Sequence, residues 1–303
     1  MSLNKPIYKL RDWINEDKIL SINSLSKNPN AIDLLKKYPN KIDWFHLSGN
    51  TNPDAIKLLE ENPNKIYWNI LSSNSNAHKL IKNNINKISW CGLVFNYNQK
   101  NFNLLLNNPK EINWYSISIN PYSIELIKNN LSKIDWSYLS CNTNPEAIKI
   151  LRKNKNKINW KKLCENTSID AIKLLEENPN KIIWMYLSSN PSAIKLLEKN
   201  KDKIDWYILS SNSNAIKLLE ENPEKINWIN LSKNPNGMKL LEKNQDKIDW
   251  YMFSTNPSIF ELDYIKMKKN NENMYEELIK EVMKPSRVFK NPDYDYLEEL
   301  FGD

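Results

Sequence analysis

Ten of the eleven tryptophans stand on one lattice: Trp44, Trp68, Trp90, Trp114, Trp136, Trp160, Trp184, Trp206, Trp228 and Trp250, in steps of 22 or 24 residues. The rest of the sequence keeps the same beat. Ile lies two places before every one of these Trp, from Ile42 to Ile248, and Asn lies six places after, from Asn50 to Asn256. Three places after comes an apolar residue such as Leu47, Leu139 or Phe253. One more copy reads upstream, with Ile22 in the Trp place, Leu25 three later and Asn28 six later. A fixed period of this length is the signature of stacked units, each too small to bury its own apolar face alone.

Each copy predicts one longer helix and one short helical turn. In Asn28-Pro29-Asn30-Ala31-Ile32-Asp33-Leu34-Leu35, Asn suits the N-cap, and Pro in the first helical place sacrifices no hydrogen bond. Ala31, Ile32, Leu34 and Leu35 make one apolar face. Tyr38-Pro39 then ends the helix, because a residue before Pro avoids the α region. In the second half, Asp43 is placed to cap a turn that starts at Trp44. A β-strand is the rival reading there, since the period also suits leucine-rich repeats, but the places after Trp do not alternate as a strand requires. The expectation is an all-α fold: a right- or left-handed α-solenoid of about eleven 22–24-residue units, each a short α-helix plus a short α or 3-10 turn.

The longer copies add two residues at the turn, as in Asn50-Thr51-Asn52-Pro53 and Asn142-Thr143-Asn144-Pro145. One Asn keeps the place six after Trp while a second caps the helix. The first therefore has a task besides capping, and its amide is suited to backbone groups of the neighbouring copy's turn. Helices packed about 8–10 Å apart would make a curved rod on the order of 90–100 Å along its contour, with the indoles in its interior. Burying an aromatic side chain removes about 150–250 Å² from water, several kcal/mol per unit as an upper bound.

An open rod needs covered ends. Residues 1–27 read as an N-terminal cap, with the off-lattice Trp13 closing the end. Residues 28–256 read as the solenoid, and 257–303 as a C-terminal helical cap or docking segment. Within the last, Pro257 to Leu262 begin like a repeat helix and Tyr264 to Met283 read as a longer amphipathic helix. Lys284-Pro285 breaks it, and Tyr294 to Phe301 suggest a last short helix. Phe289, Tyr294, Tyr296, Leu297, Leu300 and Phe301 are more apolar than a cap strictly needs.

Composition removes several chemistries. With 4 Gly there is no Gly-rich phosphate loop. Cys91, Cys141 and Cys164 are scattered and His46 and His78 stand alone, unlike a zinc site. The low, odd Cys number argues against a disulfide scaffold, and no apolar run approaches a membrane span or a signal peptide. Asp43, Asp135, Asp205 and Asp249 occupy one repeat place and read as turn caps, not as an acid–base pair. No catalytic, cofactor or metal residue and no small-molecule substrate is expected.

The unit from Leu187 to Trp206, LSSNPSAIKLLEKNKDKIDW, resembles the Asn-Pro-rich short tandem repeats of large nucleocytoplasmic DNA viruses that infect amoebae and other protists. The opening Tyr8-Lys9-Leu10-Arg11-Asp12-Trp13-Ile14 and the stretch Lys284-Pro285-Ser286-Arg287-Val288 are similar to segments of such proteins. The resemblance implies a viral origin and a place in the host cytoplasm or the virion; it implies no catalytic residues. Asn is 49 of 303 residues, an excess that fits an AT-rich genome. Leucine-rich-variant repeats, alternating α and 3-10 helices, are an architectural analogue, which carries no function.

Function in an array lies in the places that vary between copies. One and two residues after Trp, Tyr115, Tyr138, Tyr186, Tyr207 and Tyr251 make a candidate protein-binding face, because Tyr is large, amphipathic and rigid. The alternative partner is RNA or DNA, through the Lys row three places before Trp: Lys133, Lys157, Lys181, Lys203, Lys225 and Lys247. A second Lys row, including Lys57, Lys149, Lys173 and Lys195, is expected to pair with Glu60, Glu61, Glu176, Glu177 and Glu198 three or four places away. The net charge of +7 with Arg at only positions 11, 152 and 287 leaves no Arg-rich patch.

Overall fold

The computed structural model describes residues 6–20 and 23–282. The chain separates into two compact units, Asp12–Ile259 and a second made of Met1–Arg11 with Phe260–Asp303.

The larger unit is the tandem array, and it is helical in both halves of every copy. A short α-helix starts at each lattice Trp, as in Trp44–Ser48, Trp136–Leu139 and Trp228–Ser232. Asp43, Asp135, Asp205 and Asp249 cap these helices by accepting backbone N–H groups three residues on, which satisfies donors that a helix start leaves unpaired. The strand alternative is thereby excluded for this half. Between the two α-helices lies a 3-10 turn, such as Pro39–Lys41 or Pro179–Lys181. The 24-residue copies run straight into α-helix after the second cap residue, at Pro53–Glu61 and Pro145–Lys153 after Asn, at Gln99–Leu106 after Asn98 and at Ile169–Glu176 after Ser168. Several 22-residue copies, as at Pro29–Ala31 and Pro191–Ala193, begin with a tighter 3-10 turn before Ile32–Lys37 or Ile194–Glu198.

The innermost core is made by three rows. The residue three after Trp is fully buried from Leu47 to Phe253, and so are the helix Leu row (Leu59, Leu151, Leu219) and the Ala row (Ala55, Ala147, Ala215). The indoles are less enclosed than expected: every lattice Trp is half-buried. The small Ala row brings neighbouring backbones close enough for leucines to fill the centre, and the larger rings remain at its border.

The Asn row holds the copies together. Asn50 Nδ2 donates to the carbonyls of Ser26 and Asn28 in the preceding copy, at 2.9 and 3.1 Å. Asn142 does the same to Ser118 and Asn120, and Asn234 to Ser210 and Asn212. The Oδ1 atoms of Asn50, Asn142 and Asn234 meanwhile accept the N–H two residues on, from Asn52, Asn144 and Asn236, whereas the Oδ1 of Asn96 has no partner. These amides are buried, so the bonds replace water that cannot reach the groups. A second row of Asn, from Asn62 to Asn244, donates back to the carbonyl four residues earlier and closes the longer helix. Much of the Asn excess is thus structural.

The open rod does not form. Asn28, in the first copy, donates to the carbonyls of Ser254 and Asn256 in the last, at 3.2 and 2.9 Å. Asn30 Nδ2 reaches Pro257 O at 3.0 Å, just as Asn52 reaches Pro29 O. The array therefore closes on itself with the ladder continuous across the seam. Trp13 belongs to this seam, its ring 5.8 Å from that of Phe253. Lys18 lies 4.7 Å above Trp250. Ile22, assigned to the Trp place, lies outside the described residues.

In the smaller unit, Tyr8–Leu10 pairs antiparallel with Phe260–Leu262, Tyr8 opposite Leu262 and Leu10 opposite Phe260. Lys9 and Arg11 both reach Glu261, at 3.3 and 3.1 Å. Phe260–Leu262 is thus a strand where a repeat helix was expected, because its backbone groups bond to the N-terminal strand. Helix Tyr264–Val282 follows, with Asp263 accepting from Lys266 N–H. Phe289 and the Tyr294-to-Phe301 stretch lie outside the described residues.

Candidate functional site

The Trp-side helix is so short that its residues divide by single places. The place after Trp points outward: Phe45, Tyr115, Met185, Tyr207, Ile229 and Tyr251 are 44–60% exposed. The next place is half-buried or buried, from His46 to Met252. The five candidate tyrosines therefore split. Tyr115, Tyr207 and Tyr251 are exposed. Tyr138 and Tyr186 are half-buried and packed against the preceding copy: Tyr138 sits edge-on to Tyr115 at 4.8 Å, and Tyr186 lies beneath Lys161 at 4.5 Å. Met185 and Ile229, which the aromatic criterion passed over, complete the exposed row. From Met185 to Tyr251 it is apolar in four successive copies.

The Lys row flanks this edge. Lys133, Lys157, Lys203, Lys225 and Lys247 stand over the rings of Trp114, Trp136, Trp184, Trp206 and Trp228 in the preceding copy, at 4.5–5.0 Å. Lys181 is exposed and has no such ring contact. A cation over an indole face is worth about 0.5–1 kcal/mol at an exposed site, so the row also shields the half-buried rings. None of the six ammoniums has a carboxylate within 4 Å among the described residues.

The second Lys row differs from expectation in its partners. Lys57, Lys149 and Lys173 pair with Asp54, Glu146 and Asp170, three places before them, not with the glutamates after them. An acid in the first turn and a base behind it suits the helix dipole. Further pairs bridge copies: Lys36 to Asp54 at 3.2 Å, Arg152 to Glu177 at 3.1 Å and Lys201 to Glu221 at 3.2 Å. The bond from Lys149, helped by Lys128, holds the Glu146 carboxyl below the usual carboxylate range. This face is laced with ion pairs, whereas the Lys row along the Trp edge meets indoles, with Asp202, Glu224 and Asp246 standing exposed beside Lys203, Lys225 and Lys247 in the chain.

Elsewhere, Tyr97, Ile119, Pro121, Cys141, Thr143 and Thr167, from four successive copies, line a hollow of about 400 Å³. Among the described residues no group of three or more His, Cys, Asp or Glu is placed to hold a metal ion. No described helix is long and apolar enough to cross a membrane.

No protein-family model, curated protein or solved structure matches the chain.

Proposed function

We propose that the protein is a non-enzymatic repeat scaffold whose Trp edge binds another protein. The observation that supports this is the uninterrupted run of Met185, Tyr207, Ile229 and Tyr251, 44, 56, 46 and 60% exposed in four successive copies. A regular row of large apolar side chains costs solubility, and soluble chains keep such surface where a partner covers it. On the resemblance of the repeat, the protein belongs to a nucleocytoplasmic DNA virus and acts in the host cytoplasm or the virion, on a host factor or a particle component.

The second reading, nucleic-acid binding, draws on the regular spacing of the Lys row, whose ammoniums have no carboxylate within 4 Å among the described residues. One experiment separates the two. The tagged protein and the variant Met185→Ser/Tyr207→Ser/Ile229→Ser/Tyr251→Ser are used to capture proteins from infected-cell extract, with and without nuclease. A partner retained through nuclease and lost with the variant is the expected result. Capture that nuclease abolishes, or that the variant leaves intact, rejects the apolar edge as the binding surface.

A further inference from the structure

A second ladder runs beside the first. In most copies the residue two places after the ladder Asn reaches back to the carbonyl one place after the preceding ladder Asn. Asn52 donates to Pro29 O, Asn76 to Thr51 O and Asn98 to Ser75 O, at 2.6, 2.6 and 2.8 Å. Asn144, Asn214 and Asn236 donate likewise to Pro121 O, Pro191 O and Ser213 O, and Ser192 Oγ to Thr167 O at 2.7 Å. Two steps are skipped. Tyr122 stands in the donor's place after Tyr97 and carries no amide; its ring lies by that of Phe102, centroids 6.3 Å apart. Ser168 stands in the donor's place after Thr143, and its hydroxyl caps a helix by accepting the N–H of Ala171. Among the described residues no hydrogen bond reaches Tyr97 O or Thr143 O.

Both skipped residues line the hollow of about 400 Å³. Tyr97, Pro121, Thr143 and Thr167 are four successive members of this carbonyl row, and Ile119 and Cys141 complete the wall. No charged side chain lines it. Lys162 and Glu165, whose charges act on Cys141, pair with each other at 2.9 Å. A concave, mainly apolar wall with a few acceptors suits a neutral ligand that brings the matching donor. We propose that this hollow binds a small neutral molecule in which a carboxamide is joined to an apolar or aromatic body. Its N–H donates to Tyr97 O or Thr143 O, in the role that an Asn amide fills at the other steps, and its body lies against Tyr97, Ile119 and Pro121. A carbonyl that exchanges water for another donor gains only about 0.5–1.5 kcal/mol, so the apolar contact is needed as well as the amide. The site shares no residue with the exposed row of the Trp edge and goes beyond the protein-binding reading.

The test uses the full chain and two probes: benzamide, and N,N-dimethylbenzamide, which keeps the ring and the carbonyl but has no N–H. Mass spectrometry follows the labelling of Cys141 by N-ethylmaleimide, with Cys91, which does not line the hollow, as the reference in the same sample. Benzamide at millimolar concentration is expected to slow labelling of Cys141 by about threefold or more, as occupancy above one half requires, and to leave Cys91 unaffected. The methylated probe should protect far less. Tyr122→Asn/Ser168→Asn supplies the two absent amides from within the array and should abolish the protection, whereas Tyr122→Leu, which supplies none, should retain it. Circular dichroism and thermal melting verify the fold of each variant. Labelling of Cys141 unchanged by benzamide overturns the proposal, as does equal protection by the methylated probe. Protection undiminished in the double Asn variant, or lost in Tyr122→Leu, overturns the assignment of the carbonyls. If the double variant does not fold, the comparison of the two probes decides.

Discussion

The amide of Asn28 donates to the carbonyl of Asn256 at 2.9 Å across 228 positions of sequence, in the geometry that Asn50 and Asn256 repeat inside the array. This bond makes the first copy an interior one. Asn28→Ala is therefore expected to destabilise the array about as much as Asn212→Ala. Each change strands buried carbonyls and removes a turn cap, at a cost of about 2–4 kcal/mol. Urea denaturation of the two variants checks this. In an open array Asn28 would keep only its own turn cap, and its loss would move the midpoint less than the loss of Asn212.

The hydroxyls of Ser24 and Ser254 meet across the seam at 2.8 Å. Cysteines in their places should join under mild oxidation, visible as faster migration on a non-reducing gel. A cross-link that closes so long a loop is expected to stabilise by roughly 3–5 kcal/mol if it forms without strain. Failure of Ser24→Cys/Ser254→Cys to oxidise, in a Cys91→Ser background, would show the seam to be open in solution.

Two neighbouring copies share a polar defect. Asn101 occupies the Ala row and is completely buried. His78 occupies the adjoining Ile row, with Nδ1 2.5 Å from Asn101 Oδ1. The other amide atom of Asn101 has no partner. An unpaired buried amide group costs about 1–3 kcal/mol. Asn101→Ala is predicted to raise the denaturation midpoint, and the double change with His78→Ile to raise it further. A lowered midpoint for both would show that the pair stabilises the array.

What the sequence made legible follows the range of the interactions. The Asn-Pro caps, the Asp43-type caps and the helix from Tyr264 are set by residues within one turn of each other, and they could be read directly. The dual duty of Asn50 was legible because the 24-residue copies separate it from the cap residue Asn52. Closure was not. It depends on a rotation of roughly 33° per unit, if eleven units share a full circle. A few degrees of difference in side-chain packing would give an open spiral from the same local rules. The half-burial of the indoles escaped for a related reason: residue type says that Trp prefers the core, but the small Ala row decides how near the backbones come. In the candidate face, the spacing identified the two places after Trp without distinguishing the outward one from the inward one, since a four- or five-residue helix offers no long periodicity to orient it.

Two glycines should respond oppositely to a methyl group. A Cβ at Gly237 would meet Leu231 Cδ1 at 2.8 Å, the end of a flexible side chain. The equivalent places carry Ala in most copies, including Ala193 and Ala215, each opposite a Leu, so the leucine can shift. Gly237→Ala should stabilise by about 0.5–1 kcal/mol through the unfolded chain's lost freedom. A Cβ at Gly92 would meet Asn69 O at 2.8 Å and Ser72 Cβ at 3.1 Å. Backbone of the preceding copy cannot yield in the same way, and Gly92→Ala should cost about 1–3 kcal/mol. Thermal melts of the two variants should move in opposite directions.

The three thiols report on three depths of the array. Cys91 stands exposed in the outward row, Cys141 is half-buried, and Cys164 is buried where most copies carry Ser. Burial raises the pKa of both Cys141 and Cys164. The Lys162 charge opposes the rise at the first, and the N–H of Ile183, bonding to Cys164 Sγ at 3.4 Å, opposes it at the second. The thiolate is the reactive form, so a raised pKa leaves less of it at any given pH and slows alkylation. At about pH 7.5 one thiol per chain should label quickly, a second slowly, and Cys164 only as the copies come apart. Mass spectrometry of partially labelled protein identifies the order. Because Cys164 is reached only by separating neighbouring copies, its labelling rate should fall when the Ser24→Cys/Ser254→Cys bridge is closed. An unchanged rate would mean that the array opens locally at Cys164 while its seam stays shut.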